Sequence, residues 1–196
     1  MDRGKALKAF ILTTIMVVLV VGYYFYLSSR NSKANSNESA EQEAEEMTVT
    51  QELLARSRYK EYPNTPVQVV KYYNEITSCF YNDNYSDEEL VSLAELARSL
   101  CDDELNSSQS MDEFIEKLKQ DIAVFSAGNI TIYESVVTPS TDVVYFDYEG
   151  ESCARLNSTY TLKSGVNYQT SKEVYILRKD QEGHWKILGF ALDKES

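Results

Sequence analysis

Histidine and cysteine are scarce in this sequence of 196 residues. His184 is the single histidine, and the three cysteines stand far apart, at Cys79, Cys101 and Cys153. Zinc sites need several Cys or His ligands at short, fixed spacings. Nucleophilic catalysis of the Ser-His-Asp or Cys-His kind would depend on one histidine beside a predicted turn. The sequence therefore indicates no metal site, no cofactor and no catalytic residue, and we expect a protein that is not an enzyme.

Glycine, proline and basic residues are also few. Seven glycines and three prolines exclude a collagen-like chain or one dominated by linkers. Acidic residues outnumber basic ones by 31 to 19, which gives a formal net charge of -12. Because binding to phosphate backbones needs a surplus of Lys and Arg, we expect no nucleic-acid partner.

One long uncharged run, Phe10 to Leu27, stands out against this polar background. As a helix it would be about 27 Å long, close to the apolar thickness of a bilayer. A cleaved signal peptide is the alternative, but its apolar region usually spans about 7–15 residues and ends at small residues. This run is longer and ends in Tyr-Leu, so we predict an uncleaved transmembrane helix over residues 10–27.

The flanking charges indicate the orientation of this span. Three basic residues precede it and two follow it, and the side richer in Lys and Arg usually stays in the cytoplasm. We therefore predict a cytoplasmic tail over residues 1–9 and a C-terminal part outside the cytoplasm. Residues 28–62 are mostly polar and predict a stalk that contains one short helix, near residues 49–59. The remaining residues, 63–196, are predicted to form one extracytoplasmic domain.

Three helices are predicted at the start of this domain. Thr65 followed by proline resembles an N-cap with proline at the first helical position, and apolar residues spaced three and four apart continue to about residue 81. Ser86 and Ser110 each precede an acidic residue three positions later, the pattern of a capping box. Gly128 is the predicted end of the third helix.

Beyond Gly128 the apolar period changes to two, and β-branched and aromatic residues become frequent. We predict strands near 129–138, 142–149, 153–163, 168–179 and 184–192, joined by short connections and hence antiparallel. Helices followed by a meander make an α+β domain. Because Cys79 and Cys101 end consecutive antiparallel helices, they would lie roughly 20 Å apart, too far for a disulfide. A Cys101–Cys153 bridge stays open, and buried free thiols are the default expectation.

Two stretches resemble the NTF2-like superfamily. Residues 65–76 (TPVQVVKYYNEI) are similar to its opening helix, and residues 173–188, with Gly183-His184-Trp185-Lys186-Ile187, are similar to its closing hairpin. The resemblance implies a curved antiparallel sheet around a long helix, with a conical pocket between them. The family commonly has a strand or two between its second and third helices, whereas Asp102 to Gln109 is too short and polar for one. Its members include isomerases, dehydratases and non-enzymatic binding modules, so fold alone names no function.

Carboxylates and tyrosines are the remaining candidates for a site. Four acidic residues of the predicted sheet are the best acid–base candidates, but their side chains are expected to face water: Asp142, Asp147, Glu149 and Glu151. Fifteen tyrosines occur, and a tyrosine pairs an apolar body with a polar tip suited to interfaces. The candidate ligand- or partner-binding residues are Tyr145, Tyr148, Tyr160 and Tyr175, although strand propensity alone would also explain tyrosines there.

The sequence thus predicts a single-pass membrane protein with an extracytoplasmic NTF2-like domain that binds a protein partner or small ligand without catalysis. A more specific alternative is a structural subunit of a secretion or conjugation complex, because VirB8-like subunits resemble this plan of short tail, single span and NTF2-like domain. A third alternative is an enzyme with a pocket carboxylate such as Asp147.

Overall fold

The computed structural model describes residues 47–193, and helices precede strands throughout this range. The helices are α1 (Val49–Ser57), α2 (Pro66–Asn82), α3 (Asp87–Ser99), α4 (Asp103–Asn106) and α5 (Met111–Ala127). The strands are β1 (Ile130–Val137), β2 (Val144–Tyr148), β3 (Glu151–Ser164), β4 (Asn167–Lys179) and β5 (Trp185–Leu192), with a 3-10 turn, Ser140–Asp142, between β1 and β2. All strand pairs in the sheet are antiparallel. The predicted α+β class is therefore confirmed.

The predicted tail, transmembrane helix and most of the stalk fall on residues 1–46, outside the described residues. The last three residues, 194–196, also lie outside them. Between residues 47 and 193, no helix is both long and apolar enough to cross a membrane.

The helices begin where their capping residues predict. The Ser86 and Ser110 side chains each accept a hydrogen bond from the backbone N–H three residues on. In return, Glu89 and Glu113 each accept one from the backbone N–H of the capping serine, which completes the capping box. These bonds hold the pKa of both glutamates below its ordinary value. Helix α5 ends at Gly128 as predicted, but Gly128 keeps a right-handed backbone.

The α1 helix belongs to the packed core. Leu53 is 3% exposed and lies in the main apolar cluster. The backbone N–H of Thr50 donates to Asp83 Oδ2 at 2.7 Å, which fastens α1 to the end of α2. Among the described residues, α1 is therefore part of the packed unit, although the sequence analysis placed this short helix in the stalk before the domain of residues 63–196.

The segment between α3 and α5 contains no strand, as predicted. It forms the short helix α4, and Cys101 makes one isolated parallel bridge to Ile187 of β5. Asp102 caps α4 by accepting from the N–H of Glu104, and its carboxylate also receives two hydrogen bonds from Arg178, at 2.6 and 3.0 Å. This side-chain pair, together with the bridge, anchors the α3–α4 junction to the sheet.

The sheet is organised around β3. One side of β3 pairs with β4 over residues 153–164, and β4 pairs in turn with β5. The other side pairs with β2 over residues 151–155 and with β1 over residues 158–164. Strands β1 and β2 therefore share one sheet edge, and β5 forms the other. Irregularities in register occur at Ile132–Glu134 and at Ile176–Leu177.

Helix α2 packs on the inner face of this sheet. Residues of β3 alternate between buried and less buried positions, and the buried members include Leu156, Tyr160 and Leu162. Both faces of β2 are exposed, because the strand lies at the sheet edge.

The three cysteines, Cys79, Cys101 and Cys153, are buried free thiols, which confirms the default expectation. Burial raises the pKa of each thiol, that of Cys101 to about 12.

Candidate functional site

A cavity of about 240 Å³ lies between the helices and the inner face of the sheet. Helix α2 contributes Tyr73 and Tyr81, α5 contributes Phe114 and Phe125, and β5 contributes Phe190, so aromatic rings form much of the wall. For scale, an engineered apolar cavity of about 150 Å³ binds benzene. The cavity is therefore large enough for a small organic molecule.

A chain of hydrogen-bonded polar groups, most of them buried, forms one wall of the cavity. Tyr175 contacts Glu173 Oε2 at 2.8 Å, and the hydroxyls of Tyr175 and Tyr160 lie 2.9 Å apart. Tyr160 donates to Asn74 Oδ1 at 2.6 Å, and Asn74 Nδ2 donates to Ser158 Oγ at 2.8 Å. The chain joins α2, β3 and β4, and three of its members, Glu173, Tyr175 and Tyr160, line the cavity.

The number of protons available along this chain shows how its hydrogen bonds depend on the protonation state of Glu173. Three oxygen–oxygen contacts join Glu173, Tyr175, Tyr160 and Asn74, and the two tyrosines supply two hydroxyl protons. A protonated Glu173 supplies the third. With Glu173 ionised, the chain is complete only if the Asn74 amide turns over and accepts from Ser158. The network thus has one fully bonded arrangement for each protonation state of Glu173.

Two carboxyl groups of the cavity wall have raised pKa values. Burial raises the pKa of Glu173 to about 7, against the opposing effect of the bond from Tyr175. Burial alone raises the pKa of Asp121, on α5, to about 6. Burial raises the pKa of the Tyr81 hydroxyl most, and both carboxyls raise it further. Tyr81 therefore lies within electrostatic range of the two carboxyls. Removal from water is the common cause, because it disfavours the charged form.

Several polar groups of the wall have no partner within residues 47–193. The Asp121 carboxyl and the hydroxyls of Tyr73 and Tyr81 make no hydrogen bond to any described residue. All three residues are half-buried, at the wall of the cavity. These three groups are therefore free to bond a molecule that enters the cavity.

The two cationic side chains of the wall are engaged elsewhere. Arg98 donates to the carbonyls of Asn106, Gln109 and Ser110, and Lys117 Nζ donates to Gln109 Oε1 at 3.1 Å. Neither makes an ion pair with Glu173 or Asp121 among the described residues. The carboxyls of the cavity thus lack a neutralising charge.

The four tyrosines predicted as binding residues fall into two separate places. Tyr160 and Tyr175 are buried in the polar chain and line the cavity. Tyr145 and Tyr148 are 58% and 44% exposed on β2 and do not line it. The Tyr145 ring contacts Trp185, with ring centroids 5.8 Å apart. The structure therefore brings only two of the four together.

The carboxylates singled out from the sequence do not reach the cavity. All four are exposed, as expected, and Asp147 lies on the edge strand rather than in a pocket. Sequence reasoning missed Glu173 and Asp121. The period of two along β4 contained a signal for the first, because Glu173 shares the sheet face of the buried residues Tyr175 and Leu177. Asp121 follows the apolar residue Leu118 by three positions, the spacing of one helix face.

One group outside the cavity resembles a metal site. Oxygen and nitrogen atoms of Asp180, Glu182 and His184 lie within 4.8 Å of one another on the β4–β5 turn. Asp180 Oδ1 accepts the backbone N–H groups of Glu182 and His184, and the His184 ring lies 4.6 Å from that of Tyr62. Turn formation and ring packing account for this arrangement.

A comparison with protein families gives a match. A family model described as a domain of unknown function, DUF6715, covers residues 1–190. The chain belongs to this family. No curated protein matches the DUF6715 chain. The family model spans the apolar run and the folded domain together, and its description assigns no activity to either.

Proposed function

We propose that this DUF6715 protein is a membrane-anchored, extracytoplasmic ligand-binding module of the NTF2-like type. The observation that carries the binding role is the cavity, which combines aromatic walls with a few convergent polar groups. Such sites are typical for small molecules. The helices-then-sheet order, and the position of α2 on the inner face of the sheet, support the NTF2-like assignment. The apolar run at residues 10–27 supports the anchor.

We assign no catalytic role to the cavity. Glu173 and the tyrosines could take part in acid–base chemistry, but each also serves the chain of hydrogen bonds that joins α2 to the sheet. Binding needs no group beyond those present. We therefore prefer a binding module to an enzyme, because binding requires no role for these groups beyond the hydrogen bonds that they already make.

A pair of variants tests binding in the cavity. Ser171 lines the cavity, whereas the neighbouring Thr170 is exposed and does not. Ser171→Phe should fill the cavity, and Thr170→Phe adds the same bulk outside it. The full-length chain, in detergent, is heated with phenol, 1-naphthol, 2-phenylethanol, 2-phenylethylamine or phenylacetate.

We expect at least one of these compounds to stabilise the wild type and Thr170→Phe. At ten times its Kd a ligand adds about 1.4 kcal/mol, or about 4 °C for a domain of this size. Ser171→Phe should lose that shift. If no compound stabilises the wild type, or if both variants respond like it, binding in the cavity is wrong.

The anchor has a separate test. A reporter enzyme that is active only outside the cytoplasm, fused after Ser196, should be active, and one that works only inside should be silent. Replacement of Arg3, Lys5 and Lys8 should weaken this orientation, because they supply the excess of positive charge before the span. A cytoplasmic signal from the wild-type fusion contradicts the proposed topology.

A second candidate function is docking of a protein partner at β2. Four of its side chains are large, apolar or aromatic and exposed: Val144, Tyr145, Phe146 and Tyr148. One side of the strand is unpaired within the described residues, and such an edge can pair with a strand of another protein. A subunit of a membrane complex would use a surface of this kind. Phe146→Lys should then release the partner from a detergent-solubilised complex, and an unchanged complex would contradict this role.

A further inference from the structure

The charges around the cavity point to the kind of molecule that it takes. The wall contains two carboxyls, Glu173 and Asp121, without a neutralising partner among the described residues. The cations that share the wall, Arg98 and Lys117, are bonded to the loop at residues 106–110. A neutral ligand would leave both carboxyls without a counter-charge, and an anionic ligand would add a third acidic group.

The uncharged part of the wall favours the same kind of ligand. A cation is attracted to the face of an aromatic ring, and the interaction gains when water is excluded. Rings from Phe125 and Phe190 join the tyrosines of α2, β3 and β4 around the cavity, whereas the Phe114 ring already faces the Arg98 guanidinium at 5.7 Å. The free hydroxyls of Tyr73 and Tyr81 can accept hydrogen bonds from an ammonium group.

We infer that the cavity binds an organic cation, a protonated amine on an apolar body, with the ammonium group paired with Glu173 and with Asp121 as a second acidic group of the same wall. This inference rests on the ligand-binding role proposed above and names its ligand class. On binding, the Glu173 carboxyl gives its proton to the solvent and pairs with the ammonium group. The Asn74 amide turns over, Ser158 donates to it, and the polar chain stays fully bonded.

The other titratable groups that face Glu173 constrain its response to pH. From α2 these are Tyr73 and Tyr81, and from the strands Tyr160 and Tyr175, all with pKa values raised by burial and hence neutral near pH 7. On the side of α3, Cys101 is likewise neutral. Asp121 is the one further carboxyl of the wall among the described residues, and its pKa lies below that of Glu173. Above pH 6 the change in charge is therefore mainly that of Glu173.

Three compounds of similar size and different charge test the inference. Calorimetric titration of the full-length chain in detergent compares 2-phenylethylamine, 2-phenylethanol and phenylacetate. The amine should bind at least about tenfold more tightly than the alcohol, and the acid should be weakest. Because the amine needs ionised Glu173, its affinity should rise about tenfold from pH 6 to pH 8, as the ionised fraction does for a pKa of about 7. Binding should also release protons, seen as a dependence of the heat on the buffer.

Matched variants separate the site from unspecific attraction to an acidic protein. Glu173→Gln should lose the preference for the amine and its pH dependence, and Asp121→Asn should weaken the amine several-fold. Glu116→Gln removes one exposed carboxylate from the same helix as Asp121, outside the cavity, and should bind as the wild type does. Partition of the amine into detergent contributes the same heat with the wild type and with Glu173→Gln. The difference in heat between the two therefore reports binding that depends on Glu173.

The possible results distinguish this inference from the proposed function. If the alcohol or the acid binds as well as the amine and Ser171→Phe abolishes that binding, the cavity is a ligand site but the cationic class is wrong. If the amine does not bind, or binds equally to Glu173→Gln, the inference is overturned. If none of the compounds depends on Ser171, the proposed function fails as well.

Discussion

Replacement of Glu173 by glutamine should change how stability depends on pH. Burial raises the pKa of this carboxyl to about 7 in the folded protein, against about 4.5 when it is exposed. Between these two values the folded state holds a proton that the unfolded state has lost. The free energy of unfolding therefore falls as the pH rises from about 4.5 to 7 and is level above that range.

The size of the effect follows from these two pKa values. From pH 5 to pH 8 the linkage relation gives a loss of about 2.5 kcal/mol from Glu173 alone. The glutamine side chain in Glu173→Gln cannot ionise, so the variant should lack this part of the decline and should be more stable than the wild type at pH 8. At pH 5 the two should differ by no more than about 1 kcal/mol, the value of one neutral hydrogen bond.

Urea denaturation at a series of pH values measures this difference. Trp185 is the single tryptophan of the chain and is 7% exposed, so its fluorescence reports unfolding of this domain. Glu116→Gln, which removes an exposed carboxylate from α5, is the control and should follow the wild type. If the curve of Glu173→Gln runs parallel to that of the wild type from pH 5 to pH 8, the pKa of Glu173 is not raised in the folded protein.

Three further substitutions test the contacts that hold the fold. Asp102→Asn should cost about 2 kcal/mol, because Arg178 loses the least exposed of its three carboxylate partners and the charge that accepts two of its hydrogen bonds; an unchanged urea midpoint would contradict this. Asn82→Ala should cost about 1–2 kcal/mol, because Asn82 bonds both the N–H and the carbonyl of Ile132; a loss equal to that of an exposed asparagine would show that these bonds add nothing. Ser110→Ala should cost about 1 kcal/mol in thermal or urea unfolding through the lost N-cap, with Ser110→Asp, another good cap, close to the wild type.

Local patterns made most of the fold predictable. Helices α3 and α5 begin at the serines that the capping boxes indicated, and the five predicted strands differ from the observed ones by a few residues at their ends. The end of α5 was predicted less well in its detail. The left-handed residue there is Asn129, with a φ of 47°, and not Gly128. Asparagine tolerates this conformation better than most residues, so both residues fit the signal for a helix end.

The cavity was less predictable, because it depends on how separate elements meet. The period of two places Glu173 on one face of β4, but no local pattern shows that Asp121 of α5 faces the same space. Strand β2 is the opposite case, in which apolar side chains remain exposed. Four of its five side chains are large and apolar or aromatic, yet all five residues are exposed. Burial at a sheet edge depends on what lies beside the strand, and that information is not local.

The position of β2 at the edge also predicts that local stability differs between parts of the sheet. Strand β3 pairs with β4 from Cys153 to Ser164, on the side opposite to β2. The five residues of β2 are all exposed and have a strand partner on one side only within the described residues. Their amide hydrogens should exchange with deuterium well before those in the middle of β3 and β4, because local opening there uncovers little apolar surface. Strand β2 would thus be an edge strand that can unfold locally, or pair with a strand of another protein, while the core of the sheet stays folded.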